Sequence, residues 1–358
     1  MKFGMLHLFE NPAGRSEQQV LKEEIDLMRR AEDLGFDSVW ASEHHFSEYG
    51  FCASPALTLA AVAPQTRSIR LGTGVTVLPF NHPVRIAEEI ALLDLISDGR
   101  VDFGVGRGFQ PIEYRGFHVD QSQSHEIFDE ALDIVLQAWA EQRVDYPGKH
   151  FRFEVEHVTP RPLQKPHPPV WVAAVSGDSF GAAGKRGFNL LCAPTFGFYG
   201  AAATRMIKRY RDGLRLAPNP TVPRDIGVLC MVFCGETEEQ ARRDFTGPVL
   251  WTYRTLAKYI APPPGQHVAP SYEIYEQLRS ICASINWDEL KEAGAVVCGD
   301  PDSCIAQIAA LKERFGATQL LCWTRMGGLE GPKVTHSMEL MSKHVIPHFK
   351  AEEQSAKA

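Results

Sequence analysis

Two adjacent histidines follow a glutamate in WASEHHFSEYG, the stretch from Trp40 to Gly50. A neutral imidazole is a natural general base near neutral pH, and imidazoles and carboxylates are also common metal ligands. If strand geometry persists here, successive side chains point to opposite faces, so His44 and His45 cannot easily bind one ion. No Cys, Asp or His cluster ends another predicted strand, and we therefore expect no metal site. Two alternatives stay open: one histidine is a base that Glu43 supports, or all three residues are structural.

Two further segments combine glycine with groups that bind anions. GVGRGF, residues 104–109, places Arg107 between glycines; glycine allows close backbone approach, and arginine offers a bidentate fork for phosphate. VSGDSF, residues 175–180, ends a strand and starts a helix. The hydroxyls of Ser176 and Ser179 and the free amides of that helix can bind an anion. The structural alternatives are an arginine that bridges carboxylates and serines that only cap the helix. Together the segments suggest a phosphorylated cofactor.

The elements that must position these residues alternate along the chain as strand and helix. We predict eight strands, at 2–9, 38–44, 69–79, 101–108, 168–176, 189–194, 226–235 and 316–326. Near-continuous apolar strands followed by helices favour a closed parallel barrel. The predicted fold class is therefore α/β, a (β/α)8 TIM barrel with insertions. The runner-up, an open doubly wound sheet, would need a glycine-rich turn after the first strand, and the sequence has none.

We expect residues 1–349 to form one barrel domain, followed by a frayed tail at 350–358. Three segments exceed the bare barrel: 109–124, 144–169 with a hairpin, and 261–299, a candidate lid. Chemistry in such barrels collects at the C-terminal ends of the strands. The aromatic residues that we expect to line an apolar substrate pocket at this end are Phe46, Phe109, Phe196 and Trp251.

Composition excludes some classes of partner. With 37 basic and 44 acidic residues the net charge is −7, and no basic stripe favours nucleic acid. No apolar run reaches the roughly 20 residues that span a bilayer, so we expect no membrane association. Eight cysteines without a C-x-x-C pair indicate reduced thiols in a cytoplasmic protein.

At this point the residues match a family. The chain resembles the flavin-dependent luciferase-like monooxygenases, whose type member is the alpha subunit of bacterial luciferase. The matching stretches are spread over nearly the whole chain: MKFG at the start, LGFDSVWASEHHFSEYG, the long block 70–108, PPVWVAAVS, and the closing GLEGPKVTHSMELMSKHVIPHF. The chain departs from the type member at Gly106 and Val175 and after the sixth strand, so the resemblance implies neither light emission nor a fatty-aldehyde substrate.

The resemblance implies a luciferase-like barrel that binds reduced FMN as a co-substrate and reacts with O2. It implies that His44 is the catalytic base and that Arg107 binds the FMN phosphate with the help of Ser176 and Ser179. It also implies a non-prolyl cis peptide at Gly74-Val75 against the flavin ring. The cofactor-binding residues expected on this basis are Gly74, Val75, Thr76, Arg107, Ala174, Val175, Ser176, Gly177 and Ser179.

The expected activity is oxygenation of a small apolar carbonyl compound or hydrocarbon, with reduced flavin supplied by a separate reductase. One alternative is a deazaflavin-dependent oxidoreductase on the same barrel, and another is a non-catalytic flavin-binding subunit. The apolar faces of the helices at 55–65 and 83–96 favour a homodimer.

Overall fold

A computed structural model of the chain describes residues 1–12, 15–194, 201–262 and 272–357. Its strands are β1 (Lys2–His7), β2 (Ser38–Ala41), β3 (Arg70–Thr73), β4 (Thr76–Val77), β5 (Val101–Gly106), β6 (Val144–Pro147), β7 (Arg152–Val155), β8 (Val170–Ala173), β9 (Asn189–Cys192), β10 (Ile226–Cys234), β11 (Val296–Gly299) and β12 (Gln319–Trp323). Eight of them close a parallel barrel in the order β1-β2-β3-β5-β8-β9-β10-β12. The pairing of β12 with β1 completes the ring, so the predicted (β/α)8 barrel is confirmed.

The helices surround this barrel. They are α1 (Glu17–Asp33), α2 (Pro55–Val62), α3 (Pro83–Ile96), α4 (Pro111–Gly116), α5 (Ser124–Glu141), α6 (Gly177–Lys185), α7 (Ala201–Leu214), α8 (Glu238–Tyr259), α9 (Ile274–Ser284), α10 (Trp287–Ala293), α11 (Pro301–Phe315), α12 (Gly331–Leu340) and α13 (Ile346–Lys357). A π-helical turn, Met341–Val345, joins the last two. Within the described residues, no helix combines the length and apolar character needed to cross a membrane.

Burial explains why the strands read as apolar runs. All six residues of β5 are buried, as expected for a parallel strand that is covered on both faces. The helices instead bury one stripe: α1 buries Val20, Leu27, Met28 and Ala31, while most of its charged residues face outward. Glu24 is the exception, because it lies within the buried stripe. All eight cysteines are buried free thiols.

Some local predictions were wrong. Gly247-Pro248 does not break its helix, since α8 runs through Pro248. An interior proline removes one backbone hydrogen bond and its ring crowds the carbonyl four residues earlier, but the buried face of α8 holds the helix against the barrel. Residues 350–357 continue α13, because Ala, Glu, Gln and Lys are good helix formers, and the fraying expected from residue 350 stays a prediction. No strand was predicted at the position of β11, which pairs with β10 outside the barrel ring.

The insertions differ in content. Residues 109–124 hold α4, and 144–169 hold the antiparallel hairpin β6–β7, as expected. The described part of 261–299 contains α9, α10 and β11. The assignment of 1–349 to one domain stays a prediction.

Candidate active site

A cavity opens at the C-terminal ends of the barrel strands, where residues from many strands converge. It encloses about 1150 Å³, including its open mouth. Its walls are mainly apolar, with Leu6, Leu8, Val75, Val77, Leu191, Leu229 and Leu321. Polar groups are few, and His44, Glu113 and Arg107 are among them. An apolar cavity with a few converging polar groups is typical of a small-molecule site.

His44 reaches this cavity because it follows the end of β2. It is buried between two aromatic rings, with centroids 5.0 Å away at Tyr49 and 5.8 Å away at Phe109. Its Nδ1 lies 3.0 Å from Oε1 of Glu113, a residue of α4. An ionised carboxylate only accepts hydrogen bonds, so with Glu113 ionised this contact requires the ring proton on Nδ1. In that tautomer Nε2 carries the lone pair that can act as a base.

Glu113 is the main residue that the sequence analysis missed at this site. The same Oε1 also accepts a hydrogen bond from the backbone N–H of His45, at 2.9 Å. Its other oxygen, Oε2, is buried and has no hydrogen-bond partner within the described ranges. The side-chain amide of Gln110 lies 3.3 Å from the His44 Nδ1. Only the fold of the 109–124 insertion brings α4 over His44, and no local pattern indicates it.

Glu43 and His45 have structural contacts. Glu43 accepts hydrogen bonds from the backbone N–H of Val77, at 2.8 Å, and from the Asn81 amide, at 3.1 Å. Nε2 of His45 lies 3.2 Å from Oε1 of Glu43, and its ring packs on Phe117 at 4.7 Å. Within the described residues, no three His, Cys, Asp or Glu side chains are grouped so as to hold a metal ion.

The strand end at Gly74-Val75 forms one wall of the cavity. The peptide bond between these residues is cis, as the resemblance implied. Thr76 is buried in β4 and is not among the lining residues. On the facing strand, a Cβ at Gly106 would lie 2.7 Å from Cγ2 of Val75. Position 106 therefore has to be glycine for Val75 to pack against β5 as it does.

Arg107 follows β5, and in the described part of the chain its charge has no counter-charge. Its Nη1 is buried and has no hydrogen-bond partner among the residues described. No salt bridge joins its guanidinium to a carboxylate of the described residues. Instead its Cζ lies 5.3 Å from the ring centroid of Tyr272. The structural alternative, an arginine that bridges carboxylates, is therefore wrong, and a buried unpaired donor of this kind is costly unless a ligand satisfies it.

A smaller adjoining cavity of about 450 Å³ lies between α5 and α6. It shares Arg107, Ala173 and Ser179 with the main cavity, so the two meet at the arginine. His125 and Asp129 of α5 also line it. Nδ1 of His125 lies 3.2 Å from a carboxylate oxygen of Asp129, and this hydrogen bond raises the pKa of the imidazole.

The serines form a capping box at the start of α6. Oγ of Ser176 accepts from the backbone N–H of Ser179 at 3.3 Å, and Oγ of Ser179 accepts from that of Ser176 at 3.1 Å. Ser179, Ala174 and Val175 line the main cavity, whereas Ser176 is exposed and is not among the lining residues. Gly177 packs beside Arg209. The capping alternative thus describes the observed contacts, and an anion-binding role stays a prediction.

The expected aromatic pocket is only partly correct. Phe109 lines the cavity, but Phe46 is 55% exposed and Trp251 is not among the lining residues. Phe46 adopts a positive φ of 59°, which turns the chain at this point, and its ring packs on Phe117. Trp251 lies beside the buried stripe of α8 rather than on it. Phe196 lies outside the described residues. The other aromatic residues that line the cavity are Tyr49, Tyr275 and Trp323.

A second arginine, Arg325, lies beyond the end of β12 and is fully buried. Its Nη1 lies 3.1 Å from Glu24 and its Nη2 lies 2.8 Å from Glu23. Oε2 of Glu24 also lies 2.7 Å from Nδ1 of His7. A signal for this cluster was present in the sequence, because Glu24 occupies a buried-stripe position of an amphipathic helix.

Glu10 lies beside the same cluster. It accepts hydrogen bonds from the Thr252 hydroxyl, at 2.7 Å, and from the backbone N–H of Gly327. Burial raises the pKa of Glu10 to about 8 despite these hydrogen bonds.

Comparison with known proteins gives a consistent result. A family model described as luciferase-like monooxygenase matches residues 1–319. The chain is 28% identical over 330 residues to limonene 1,2-monooxygenase of Rhodococcus erythropolis, covering 92% of this chain and 81% of that protein. It is 34% identical to the alkanal monooxygenase alpha chain of the Kryptophanaron alfredi symbiont, over 53% of this chain and 54% of the relative. The oxygenase component of flavin-dependent trigonelline monooxygenase from Acinetobacter baylyi is 32% identical, over 54% of each chain. These last two alignments span about half the length of each relative.

Solved structures share the fold. Monooxygenase RslO1 from Streptomyces bottropensis superposes with a TM-score of 0.83 and 28% identity, covering 98% of this chain and 100% of that one. The oxygenating constituent of 3,6-diketocamphane monooxygenase from Pseudomonas putida, solved with FMN, has a TM-score of 0.79, 23% identity, and coverage of 97% and 98%. The coenzyme F420-dependent tetrahydromethanopterin reductase from Methanopyrus kandleri has a TM-score of 0.69, 21% identity, and coverage of 97% and 99%.

Proposed function

The chain belongs to the luciferase-like monooxygenase family, and from this premise we propose that it is an FMN-dependent monooxygenase. It takes reduced FMN from a separate reductase and uses O2 to oxygenate a small apolar carbonyl compound or hydrocarbon. The need for a reductase is supported by a relative that is named as an oxygenase component. When bound, reduced flavin supplies the two electrons needed to activate O2.

Arg107 is the observation that carries this proposal. A partly buried guanidinium with an unsatisfied N–H and no carboxylate fits an anionic group such as the FMN phosphate. Ser179 lines the cavity beside it and belongs to the N-terminus of α6, where backbone amides favour an anion. The residues that would hold the phosphate are therefore Arg107 and Ser179, with Ser176 and Gly177 at the helix start.

The rest of the cavity suits a flat, largely apolar ring system. Gly74, Val75, Ala174 and Val175 line it without charged groups, and the volume of about 1150 Å³ leaves room for a substrate. Apolar walls exclude water from the reacting centre, which protects reactive species from hydrolysis. The same walls favour an apolar substrate over a charged one.

His44 is the proposed base. The carboxylate of Glu113 holds the proton on Nδ1 and fixes the ring, so Nε2 can accept a proton from the substrate or the cofactor. We expect His44→Ala to lower turnover by about 10²- to 10⁴-fold and to leave flavin affinity unchanged. The matched control is His82→Ala, which removes an exposed histidine at the start of α3. Unchanged turnover in His44→Ala would remove His44 from the mechanism.

The oxygenase activity is tested by the fate of labelled oxygen. Purified protein, a flavin reductase, NADH and FMN are incubated under ¹⁸O2 with a panel of aldehydes, ketones and terpenes. We expect one ¹⁸O atom in a product, and none when the protein is omitted. Flavin binding with no labelled product from the whole panel would favour the non-catalytic flavin-binding subunit.

The cofactor is tested by titration with FMN and with a deazaflavin. The deazaflavin alternative rests on the shared fold of an F420-dependent reductase. We expect FMN to bind. Tight deazaflavin binding without FMN binding would replace the monooxygenase by a deazaflavin-dependent oxidoreductase.

A homodimer and a cytoplasmic location also belong to this proposal. Four apolar residues are exposed on neighbouring helices: Leu57 of α2, and Leu92, Leu95 and Ile96 of α3. Leu57 is 73% exposed, and a second copy of the chain would cover it. Light scattering that shows a monomer at micromolar concentration would contradict the dimer. The buried free thiols suit a reducing compartment.

A further inference from the structure

Tyr272 belongs to the 261–299 insertion and directly precedes α9. It is 2% exposed, and its hydroxyl lies among polar groups around the Arg107 backbone. The hydroxyl donates to the carbonyl oxygen of Gly108 at 3.1 Å and lies 3.0 Å from Oγ of Ser124. It is also 3.1 Å from the hydroxyl of Tyr114, which donates to the carbonyl oxygen of Arg107. The insertion is thus hydrogen-bonded directly to the Gly108 carbonyl, and it contacts the Tyr114 hydroxyl that is bound to the Arg107 carbonyl.

The ring of Tyr272 is attached to the cavity wall as well. It stacks on Tyr275 at 5.5 Å with an interplanar angle of 29°. Tyr275 in turn stacks on Phe109 at 5.9 Å and 10°, and both Tyr275 and Phe109 line the main cavity. Hydroxyl contacts and ring stacking together fix the orientation of the Tyr272 ring.

The fixed ring lies against the Arg107 guanidinium, with 5.3 Å between Cζ and the ring centroid. An aromatic face attracts a cation through its quadrupole and carries no net charge. A carboxylate in this place would also orient the arginine, but it would neutralise the charge and compete with an incoming phosphate. The aromatic contact orients the guanidinium and leaves its full charge for a ligand.

We propose that Tyr272 is a positioning residue for Arg107, and that through it the 261–299 insertion helps to select a phosphorylated flavin. The inference rests on the proposed function, because it needs Arg107 to bind the FMN phosphate. It assigns this insertion a role at the phosphate end of the cofactor, in addition to any role over the substrate. Tyr272 itself need not touch the flavin.

The test compares FMN with riboflavin, which has the same ring system and no phosphate. Dissociation constants for both flavins are measured by fluorescence quenching for the wild type, Tyr272→Leu and Tyr272→Phe. We expect Tyr272→Leu to weaken FMN binding by about 5- to 30-fold and to leave riboflavin binding unchanged. Tyr272→Phe keeps the ring and is expected to stay within about threefold of the wild type. Tyr146→Leu, in the hairpin β6–β7 and outside the lining of both cavities, is the matched control and should change neither constant.

A second measurement covers the case in which Tyr272→Leu does not fold. Phenylalanines with increasing numbers of ring fluorines, incorporated at position 272, keep the shape of the ring and weaken its negative face. FMN affinity should fall stepwise along this series while riboflavin affinity stays constant. A constant FMN affinity along the series would overturn the inference.

The outcomes separate this inference from the proposed function. A wild type that binds FMN no better than riboflavin overturns both. A wild type that prefers FMN, together with a Tyr272→Leu variant that keeps the same preference, overturns only the role of Tyr272. Equal losses of FMN and riboflavin affinity would also overturn it, because they would show that Tyr272 only supports the fold.

Discussion

Arg107 and Arg325 occupy equivalent places in the barrel and have opposite surroundings. Each follows the C-terminal end of a strand, β5 for Arg107 and β12 for Arg325. Arg325 contacts the carboxylates of Glu24 and Glu23 at 3.1 and 2.8 Å. Arg107 faces an aromatic ring and a cavity instead, with one buried N–H unsatisfied.

The comparison shows how a charge that stabilises the fold differs from a charge that can bind a ligand at the same rim of the barrel. Burial opposes the charge of Arg325, but Glu24 and Glu23 outweigh it and raise the pKa of the guanidinium above its usual value. Two carboxylates pair with that charge, so it can offer little to an anionic ligand, although Nε of Arg325 is also buried without a hydrogen-bond partner among the described residues. The charge of Arg107 has no carboxylate partner in the described ranges of the chain, so an external anion is its natural partner.

Arg325→Met should have the largest effect on stability. It leaves the carboxylate of Glu24 fully buried with only His7 as a partner, which typically costs about 3–5 kcal/mol. Chemical denaturation should show this loss. The double variant Arg325→Met with Glu24→Gln should recover most of it, because a neutral amide needs no counter-charge and its oxygen can still accept from Nδ1 of His7. If Arg325→Met lowers the free energy of unfolding by less than about 1 kcal/mol, Arg325 does not have the stabilising role that is assigned to it here.

The second prediction concerns the pH dependence that Glu10 adds beside Arg325. The pKa of Glu10 in the folded chain, about 8, lies above its ordinary value of 4.5. The folded state therefore keeps a proton that the unfolded state releases, and stability falls as pH rises from about 4.5 to about 8. Glu10→Gln should remove this part of the slope, on the order of 4 kcal/mol between pH 5 and pH 8. Urea unfolding at pH 5 to 9 measures it, and identical slopes in the two proteins would contradict the prediction.

Arg107→Met should change flavin selectivity and leave stability nearly unchanged. Loss of a charged hydrogen-bond donor to phosphate should weaken FMN binding by about 1.5–3 kcal/mol, roughly 10- to 100-fold. Riboflavin binding should not change. The free energy of unfolding should stay within about 1 kcal/mol, since no ion pair is lost. Arg143→Met, in the hairpin region, is the matched control. If Arg107→Met lowers the free energy of unfolding as much as Arg325→Met does, Arg107 also stabilises the fold and the proposed difference between the two arginines is wrong.

The smallest effect is expected from Arg15, which pairs with the outer carboxylate of the Arg325 cluster. The side chains of Arg15 and Glu23 are 29% and 37% exposed, so water screens this ion pair. We expect Arg15→Met to reduce the free energy of unfolding by less than about 1 kcal/mol. Denaturation at low and high salt measures this loss. A larger loss in the free energy of unfolding would show that Arg15 belongs to the stabilising cluster around Arg325.

Local patterns in the sequence were sufficient for the architecture. Alternating apolar strands and amphipathic helices predict the barrel, because burial on both faces of a parallel strand leaves a continuous apolar run. The same patterns place His44 and Arg107 at strand ends, and the barrel topology brings all such ends to one rim. The family resemblance then supplied the expected cis peptide at Gly74-Val75, which the structure contains.

The contact partners of His44 and Arg325 could not be predicted from local patterns in the sequence. Glu113 is 69 positions from His44, and Glu24 is 301 positions from Arg325. Phe46 and Trp251 show the same limit, because both were expected to line the pocket and neither lines the cavity. Periodicity reports which face of an element is buried, whereas the contacts within that burial depend on how insertions and helices pack.

The sequence by itself thus determined the barrel, the rim and the candidates His44 and Arg107, because strand and helix periods are local properties. Only the tertiary structure decided which charges are paired. It placed two carboxylates on Arg325 and a neutral ring from the 261–299 insertion on Arg107. The reason is physical: the fate of a buried charge depends on its neighbours in space, and these come from segments far apart in the chain.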